Sequence, residues 1–323
     1  MTKAIRIHET GGPEVLVWED VEVGDPADGQ VRLRHTAIGL NFIDTYHRSG
    51  LYPLPLPTVL GREGAGVIEA VGPGVEGLAV GDRVAYPMSA GSYCEERLIG
   101  AHELVEIPSG VDDSQAAAMM LKGLTAHYLL HRSYHVQRGD TILFHAAAGG
   151  VGLIACQWAK HLGATVIGTV GSEAKAELAR AHGCEHTIRY DQEEFAEKVR
   201  AITEGRGVPV VYDSVGRSTF ERSLDCLAPT GTMVSFGQAS GPVPPLDIGV
   251  LAAKGSLFLT RPTLATFIAH REDLVGAASA LFEVVSTGAV RVEVRQTYAL
   301  ADAAQAHRDL ETRKTSGSTV LLP

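Results

Sequence analysis

The run Thr141-Ile-Leu-Phe-His-Ala-Ala-Ala-Gly-Gly-Val-Gly152 carries the most specific chemistry in the chain. An apolar stretch after the Gly139-Asp140 turn gives way to small residues, and then Val151, Ile154, Ala155, Trp158, Ala159 and Leu162 recur at helical spacing. The pattern predicts a strand, a tight turn and a helix. In a dinucleotide fingerprint the first Gly makes the turn, the second lets backbone approach a pyrophosphate, and the third lets helix and strand pack closely. Here those positions are Ala147, Gly149 and Gly152, so Ala replaces the first Gly. The candidate phosphate-binding residues are therefore Ala148, Gly149, Gly150, Val151 and Gly152, at a helix N-terminus where unpaired N–H groups and the positive dipole end face an anion. Glycine-rich turns before helices also arise for packing alone, so the flanking elements have to decide.

A second group with chemical potential is Thr169-Val170-Gly171-Ser172, with Lys175 one helical turn on. A cofactor lacking a 2′-phosphate is usually held by an Asp or Glu about 20 residues beyond the glycines, through the ribose hydroxyl. This chain offers instead a hydroxyl at an N-cap position, free N–H groups and an ammonium, which suit a 2′-phosphate better. Gly171, Ser172 and Lys175 thus favour NADPH over NADH. Glu173 complicates this reading, because it could point into the same site.

The elements that must position these groups alternate. Segments 164–170, 186–190, 208–215 and 232–236 read as strands, and 173–182, 193–203 and 219–227 as helices. Such alternation implies right-handed crossovers and a doubly wound parallel sheet, an α/β Rossmann domain. The first hundred or so residues differ. Short β-rich pieces at 15–18, 31–35, 66–71 and 83–85 are separated by Gly/Pro/Asp turns, predicting a compact barrel-like β-rich domain. Segment 114–135 reads as helical. Beyond the Rossmann pattern, 264–287 and 301–312 are helical, 290–294 alternates like a strand, and 317–322 reads as a final strand returning to the first domain. Domain boundaries are expected at 1–122 plus 263–323, with 123–262 inserted as the dinucleotide-binding domain. A chain built this way is expected to leave a substrate cleft between its domains.

Bulk properties narrow the class. At 323 residues two domains are the prior, and 45% hydrophobic content suffices for a core in each. Acidic residues outnumber basic ones, 38 to 28, for a formal charge of −10, which disfavours a nucleic-acid partner. The four cysteines, Cys94, Cys156, Cys184 and Cys226, are scattered without paired spacing, and no apolar run approaches membrane-spanning length. A cytoplasmic protein with no membrane partner is expected. His127, His131 and His135 share a helical face but lack other ligands nearby in sequence, so no metal is expected there.

Several further motifs occur in order along the chain: Gly39-Leu-Asn-Phe-Ile-Asp44, Arg48-Ser-Gly-Leu-Tyr-Pro53, Gly61-Arg-Glu-Gly-Ala-Gly66, Met120-Leu-Lys-Gly-Leu-Thr-Ala126, Val211-Tyr-Asp-Ser-Val-Gly216, Val234-Ser-Phe-Gly237 and Gly255-Ser-Leu. With the fingerprint, they resemble a medium-chain dehydrogenase/reductase, and within that superfamily the zinc-free quinone oxidoreductases related to zeta-crystallin. The resemblance implies a GroES-like β-rich domain built from both chain ends, an inserted Rossmann domain, NADPH as cofactor and a homodimer. Zinc members of the superfamily place Cys and His where this chain has Asn41 and Arg62. That leaves Glu63 as one carboxylate, too few ligands for a catalytic zinc.

Without zinc, the expected chemistry is hydride delivery to an electron-poor acceptor such as a quinone, whose product anion spreads its charge over a ring. By position, the resemblance puts Asn41, Tyr46 and Tyr52 around the nicotinamide and substrate, and Lys122 and Thr125 near the nicotinamide and phosphates. Tyr190 and Arg313 flank the adenine and its 2′-phosphate with Ser172 and Lys175, while Ser214, Val215, Phe236 and Gly237 lie at strand ends facing the cofactor. Asp44 is read as a loop cap. Alternative readings are a zinc-free NADPH-dependent enoyl reductase and a non-catalytic NADPH-binding or structural protein. Dimerisation is expected through an edge strand near Ser256-Leu-Phe-Leu-Thr260.

Overall fold

Strands β1 (Thr2–Ile7), β2 (Val17–Val21), β3 (Gln30–Leu40), β4 (Thr58–Val59), β5 (Glu63–Val71), β6 (Arg83–Pro87), β7 (Glu96–Gly100) and β8 (Val105–Glu106) occupy the first part of the chain. Helix α1 (Phe42–Arg48) follows β3, and α2 (Asp113–Tyr128) follows β8. Then come β9 (Thr141–Phe144), α3 (Gly150–His161), β10 (Thr165–Val170), α4 (Glu173–Ala181), β11 (His186–Arg189), α5 (Phe195–Ile202), β12 (Val208–Asp213), α6 (Phe220–Asp225), β13 (Leu227–Ser235), α7 (Gly249–Ala253) and β14 (Phe258–Thr260). The chain closes with α8 (Leu264–Phe267), α9 (Arg271–Ser286), β15 (Val294–Ala299), α10 (Ala303–Glu311) and β16 (Ser318–Leu322). This computed structural model describes residues 1–323 and resolves two units: Met1–Leu124 with Ile268–Phe282 and Val292–Pro323, and Thr125–Phe267 with Glu283–Arg291.

The first unit holds a three-stranded sheet of order β2-β1-β4 and a larger sheet of order β15-β16-β3-β5-β6-β8, with β7 also paired to β3. Except for the parallel β15–β16 pair, these ladders are antiparallel. Strand β16 pairs with β3 in the register Val320 to Gly39, so the chain's last strand lies beside the strand that leads into Asn41. Ile5, Ile7, Ile38, Leu40, Leu60, Tyr93 and Leu321 form the apolar core under that junction.

In the second unit six strands in the order β11-β10-β9-β12-β13-β14 are all parallel. Order reverses between β9 and β12, which places the switch point of the sheet beside the fingerprint turn. Leu143, Ile167, Ile188, Val211 and Met233 carry the sheet's share of a core that α5 and α6 complete with Phe195, Val199 and Leu224.

Two local expectations change. Alternation at 290–294 marks a strand in the sequence, yet β15 begins only at Val294. Val290 and Val292 are buried, but the backbone of Arg291 pairs with a side chain instead of a strand. Its N–H donates to Gln157 Oε1 at 3.0 Å, and its carbonyl accepts from Gln157 Nε2 at 3.0 Å. One-sided burial produces the period of two whether or not a ladder forms. Segment 15–18 likewise splits, because Pro13 opens a short 3-10 turn at Pro13–Val15 and the ladder with β1 starts at Val17. No helix is long and apolar enough to cross a membrane.

Candidate functional site

In the second unit, the loops after β9, β10, β12 and β13 bear most of the expected cofactor residues. Helix α3 starts at Gly150 with Gly149 as N-cap and no side-chain cap, so its first N–H groups have no intrahelical acceptor. Gly152 is required by packing: a Cβ there would lie 2.5 Å from the Ala146 carbonyl oxygen and 2.6 Å from that of Ala147. The turn itself falls on Ala146, which holds a left-handed φ of 54°. Tertiary contacts thus impose a conformation for which the sequence shows no Gly.

After β10, Ser172 caps α4 by accepting the Lys175 N–H at 3.3 Å. Gly171 admits the Tyr190 hydroxyl, since a Cβ on Gly171 would come within 2.4 Å of that oxygen. The ring of Tyr190 and the capped turn therefore share one edge of the sheet. Glu173 is drawn elsewhere. Its carboxylate pairs with Arg180 at 2.7 Å and Arg189 at 3.6 Å, and the hydrogen bond from Arg180 holds it below the usual Glu range.

Strand β12 ends in Asp213, a fully buried acid whose Oδ1 accepts the N–H groups of Val215 (2.7 Å) and Gly216 (3.0 Å). Its Oδ2 accepts from Thr219 at 2.7 Å. Beside it, the buried His145 ring bridges Thr169 Oγ1 (2.8 Å) and Ser223 Oγ (2.9 Å). These bonds tie β9, β10 and β12 together under the loops that carry Ser214 and Val215. Gly237 packs backbone to backbone on Ser214, where a Cβ would meet the Ser214 carbonyl oxygen at 2.6 Å. Phe236 packs tilted on Phe144, ring centroids 5.8 Å apart. Thr125 is buried on α2 in this same unit.

The first unit holds a different chemistry around Glu63. Its fully buried carboxylate accepts three hydrogen bonds: Leu121 N–H to Oε1 at 2.6 Å, and Asn41 Nδ2 (2.8 Å) and Lys122 Nζ (2.9 Å) to Oε2. Lys122 is thereby a buried partner in an ion pair, with its side chain 6% exposed. Asn41 spends its second amide proton on the Gly39 carbonyl at 3.3 Å, so its NH2 group is committed to the protein. Tyr46, on α1, meets Tyr52 edge-on with ring centroids 5.3 Å apart. Asn41, Tyr46 and Tyr52 therefore share one stretch of the unit, while Arg313 sits just past α10 with a left-handed φ of 62°.

Asp44 does more than cap a loop. Its Oδ2 accepts the Asn41 N–H at 2.9 Å and the Tyr93 hydroxyl at 3.0 Å. Tyr93 Oη lies 3.0 Å from His307 Nε2, and His307 Nδ1 lies 3.0 Å from Arg48 Nη1, which also forms a fork with Glu311 at 2.7 and 3.0 Å. Because Arg48 can only donate, His307 accepts at Nδ1 and carries its proton on Nε2, which sets the direction of the whole string toward Asp44. Burial raises the Asp44 carboxyl to about 7 and lowers His307 to about 3. The string joins residues more than 250 positions apart, so no spacing rule could have found it. Arg62 and His47 were likewise invisible as a pair. Arg62 Nη2 lies 2.9 Å from His47 Nε2, and Arg62 Nη1 donates to the Met88 carbonyl at 3.1 Å.

Glu63 also decides the question of metal. Both of its oxygens already face donors, one of them a buried ammonium, and no group of three or more His, Cys, Asp or Glu side chains is arranged to hold an ion. The residues present do not fit a catalytic zinc. The helix N-terminus at Gly149, the Ser172 cap and the Gly171–Tyr190 approach do fit a dinucleotide.

A Rossmann unit whose sequence interrupts a β-rich unit, with phosphate-binding loops and no zinc ligands, defines a zinc-independent medium-chain dehydrogenase/reductase. Comparison agrees. The alcohol dehydrogenase GroES-like domain family matches residues 27–141, and the zinc-binding dehydrogenase family matches residues 150–281. A quinone oxidoreductase of Pseudomonas aeruginosa is 55% identical with 100% of both chains covered. A 2-haloacrylate reductase of Burkholderia is 50% identical, covering 100% of this chain and 99% of its own. The solved structure of Escherichia coli quinone oxidoreductase complexed with NADPH superposes with a TM-score of 0.98 at 49% identity, covering 99% of this chain and 100% of that one. The chain belongs to the quinone oxidoreductase family of the medium-chain dehydrogenases/reductases.

Proposed function

We propose that the protein is an NADPH-dependent quinone oxidoreductase that works without metal. The observation that carries this reading is Glu63, the acid closest to a zinc-ligand position, saturated by Lys122, Asn41 and Leu121. Electrophilic help for the reaction must then come from side-chain donors, which suits an acceptor as electron-poor as a quinone.

NADPH, when bound, supplies the hydride. In this reading the N–H groups of Ala148, Gly149, Gly150, Val151 and Gly152 hold its pyrophosphate, and Gly171, Ser172, Lys175, Tyr190 and Arg313 hold the adenosine 2′-phosphate end. Ser214, Val215, Phe236 and Gly237 support the rest of the cofactor, with Lys122 and Thr125 toward the nicotinamide. Asn41, Tyr46 and Tyr52 orient the quinone. Asn41 acts there through its carbonyl oxygen, since its amide protons are bonded to Glu63 and Gly39. The functional boundaries in this reading remain 1–122 plus 263–323 and 123–262.

A homodimer is supported by β14, an edge strand whose Phe258 is 63% exposed. Four buried, unpaired cysteines support a cytoplasmic setting, and the net charge of −10 speaks against a nucleic-acid partner. A second reading, reduction of an activated C=C bond, is favoured by the 50% identity to a protein named 2-haloacrylate reductase.

The test is NADPH oxidation in excess EDTA with a 1,4-quinone, an ortho-quinone, a 2-haloacrylate and an enoyl thioester compared side by side. Turnover of quinones unaffected by chelator is expected. Turnover confined to the acrylate or thioester would replace this reading with the second, and tight NADPH binding without turnover of any acceptor would leave a binding protein.

A further inference from the structure

We propose that Arg62 is a catalytic residue, its guanidinium placed to hydrogen-bond the quinone oxygen on which negative charge develops. The proposal rests on reading Asn41, Tyr46 and Tyr52 as the wall that receives the quinone.

Two buried cations in this unit are neutralised, Lys122 by Glu63 and Arg48 by Glu311. Arg62 is not. Its two hydrogen bonds go to neutral acceptors, the Met88 carbonyl and His47 Nε2, and no carboxylate lies within ion-pair distance. A guanidinium has five N–H donors, so these two bonds leave three for a ligand. Arg62 is half-buried, and its Nε, which bonds neither Met88 nor His47, is not among the buried atoms lacking a partner, so that at least the Nε–H reaches accessible space. Among the charged groups facing it, Asp44 attracts its charge and Arg97 opposes it, while burial disfavours it most. Arg97, by contrast, spends its fork on Tyr86, Ser89 and the Leu98 carbonyl.

Arg62 is also aimed. His47 Nδ1 donates to the Tyr52 carbonyl at 3.2 Å, which leaves Nε2 as the acceptor for Arg62. Protonating His47 would break that bond, and burial together with the adjacent guanidinium keeps the ring neutral. The His47 ring stands edge-on to Tyr52 with centroids 5.8 Å apart, and Tyr52 stands edge-on to Tyr46. One neutral histidine thus fastens the cation to both tyrosines of the wall.

The chemistry calls for such a cation. Hydride addition breaks the donor C–H bond, forms a bond to the quinone and leaves the electron pair of one C=O on oxygen. A proton from solvent caps that oxygen and a proton of the attacked ring carbon passes through solvent to the second oxygen, so the balance is quinone plus NADPH plus H+ giving hydroquinone plus NADP+. A fixed donor aimed at the developing oxyanion is worth on the order of 10²–10³ in kcat.

Arg62→Met and Arg62→Lys are compared with wild type in three measurements: quinone kinetics, NADPH affinity by fluorescence, and the ionisation of bound 4-nitrophenol, a phenolate mimic of the product anion. Expected for Arg62→Met are a kcat loss of about 100-fold with the NADPH dissociation constant unchanged. In the wild-type holoprotein the pKa of bound 4-nitrophenol should fall by about one unit, and Arg62→Met should abolish that fall. Arg62→Lys should recover part of both. If Arg62→Met folds poorly, Arg62→Ala assayed with millimolar guanidinium serves instead, and saturable rescue of turnover is expected.

An unchanged kcat and an unchanged nitrophenol titration in Arg62→Met would overturn the proposal, as would absence of rescue in a folded Arg62→Ala. Failure of the underlying reading looks different: Tyr46→Phe and Tyr52→Leu would then leave the quinone KM and kcat untouched.

Discussion

Replacing Glu63 with Gln tests whether the carboxylate at the centre of the first unit is an anchor for a buried ammonium. Its three partners, Leu121 N–H, Asn41 Nδ2 and Lys122 Nζ, are all donors. Gln offers one acceptor oxygen and one NH2 group, so in either orientation a donor faces a donor. With the NH2 toward Leu121, a backbone N–H is orphaned; with it toward Lys122, the ammonium and the Asn41 amide both lose their acceptor. Glu63 is fully buried and the Lys122 side chain is 6% exposed, so water cannot compensate. Breaking a buried pair from one side costs about 3–5 kcal/mol, and Glu63→Gln should fall in that range. Lys122→Met should also destabilise, leaving the carboxylate with two donors. In the double variant the charge is gone from both sides, so the combined loss should undercut the sum of the singles by more than about 1 kcal/mol. Unfolding in urea can be followed in this unit alone, because Trp18 lies in the first unit and Trp158 in the second. A Trp158→Phe background makes Trp18 the reporter. Additive effects of the two substitutions within about 0.5 kcal/mol would refute the coupling.

Asp44→Asn should gain stability relative to wild type as pH rises. The folded carboxyl sits at about 7 against an ordinary 3.8, so the wild-type contribution is fully present below pH 3.8 and is lost as pH climbs through about 7. At about 1.4 kcal/mol per pK unit the full swing is about 4 kcal/mol, and urea midpoints at pH 5, 6, 7 and 8 that stay parallel for the two proteins would contradict it. Lys175→Ala should weaken NADPH roughly ten-fold while NADH barely changes, by fluorescence titration; equal losses would mean that Lys175 serves the fold or a shared contact. Phe258→Asp on edge strand β14 should convert a dimer to a monomer in light scattering, and a wild type that is already monomeric at micromolar concentration would end the edge-pairing proposal.

The local code of this chain is strong where period and glycine carry it. Alternating strands and helices from Thr141 onward imply a parallel sheet, because each periodic segment can bury its apolar face only against the next. The fingerprint glycines mark α3's start, since backbone can approach a ligand or another strand only where no Cβ intervenes, as the contact at Gly152 shows. Ser172 as a cap and the absence of a Cys or His beside Asn41 and Glu63 were equally legible, being statements about residue type at one place. What tertiary structure alone decided is where the charges go. Lys122 was as compatible with the surface as with a buried pair until β5 and α2 packed together, and Glu173 could have entered the cofactor site until Arg180 and Arg189 claimed it. Asp44, Tyr93, His307 and Arg48 form one directed string only because α10 packs with the strands near α1, across a sequence separation that no periodicity encodes. Coulomb and hydrogen-bond energies depend on distances of a few ångströms, and those distances exist only once the apolar faces have been buried.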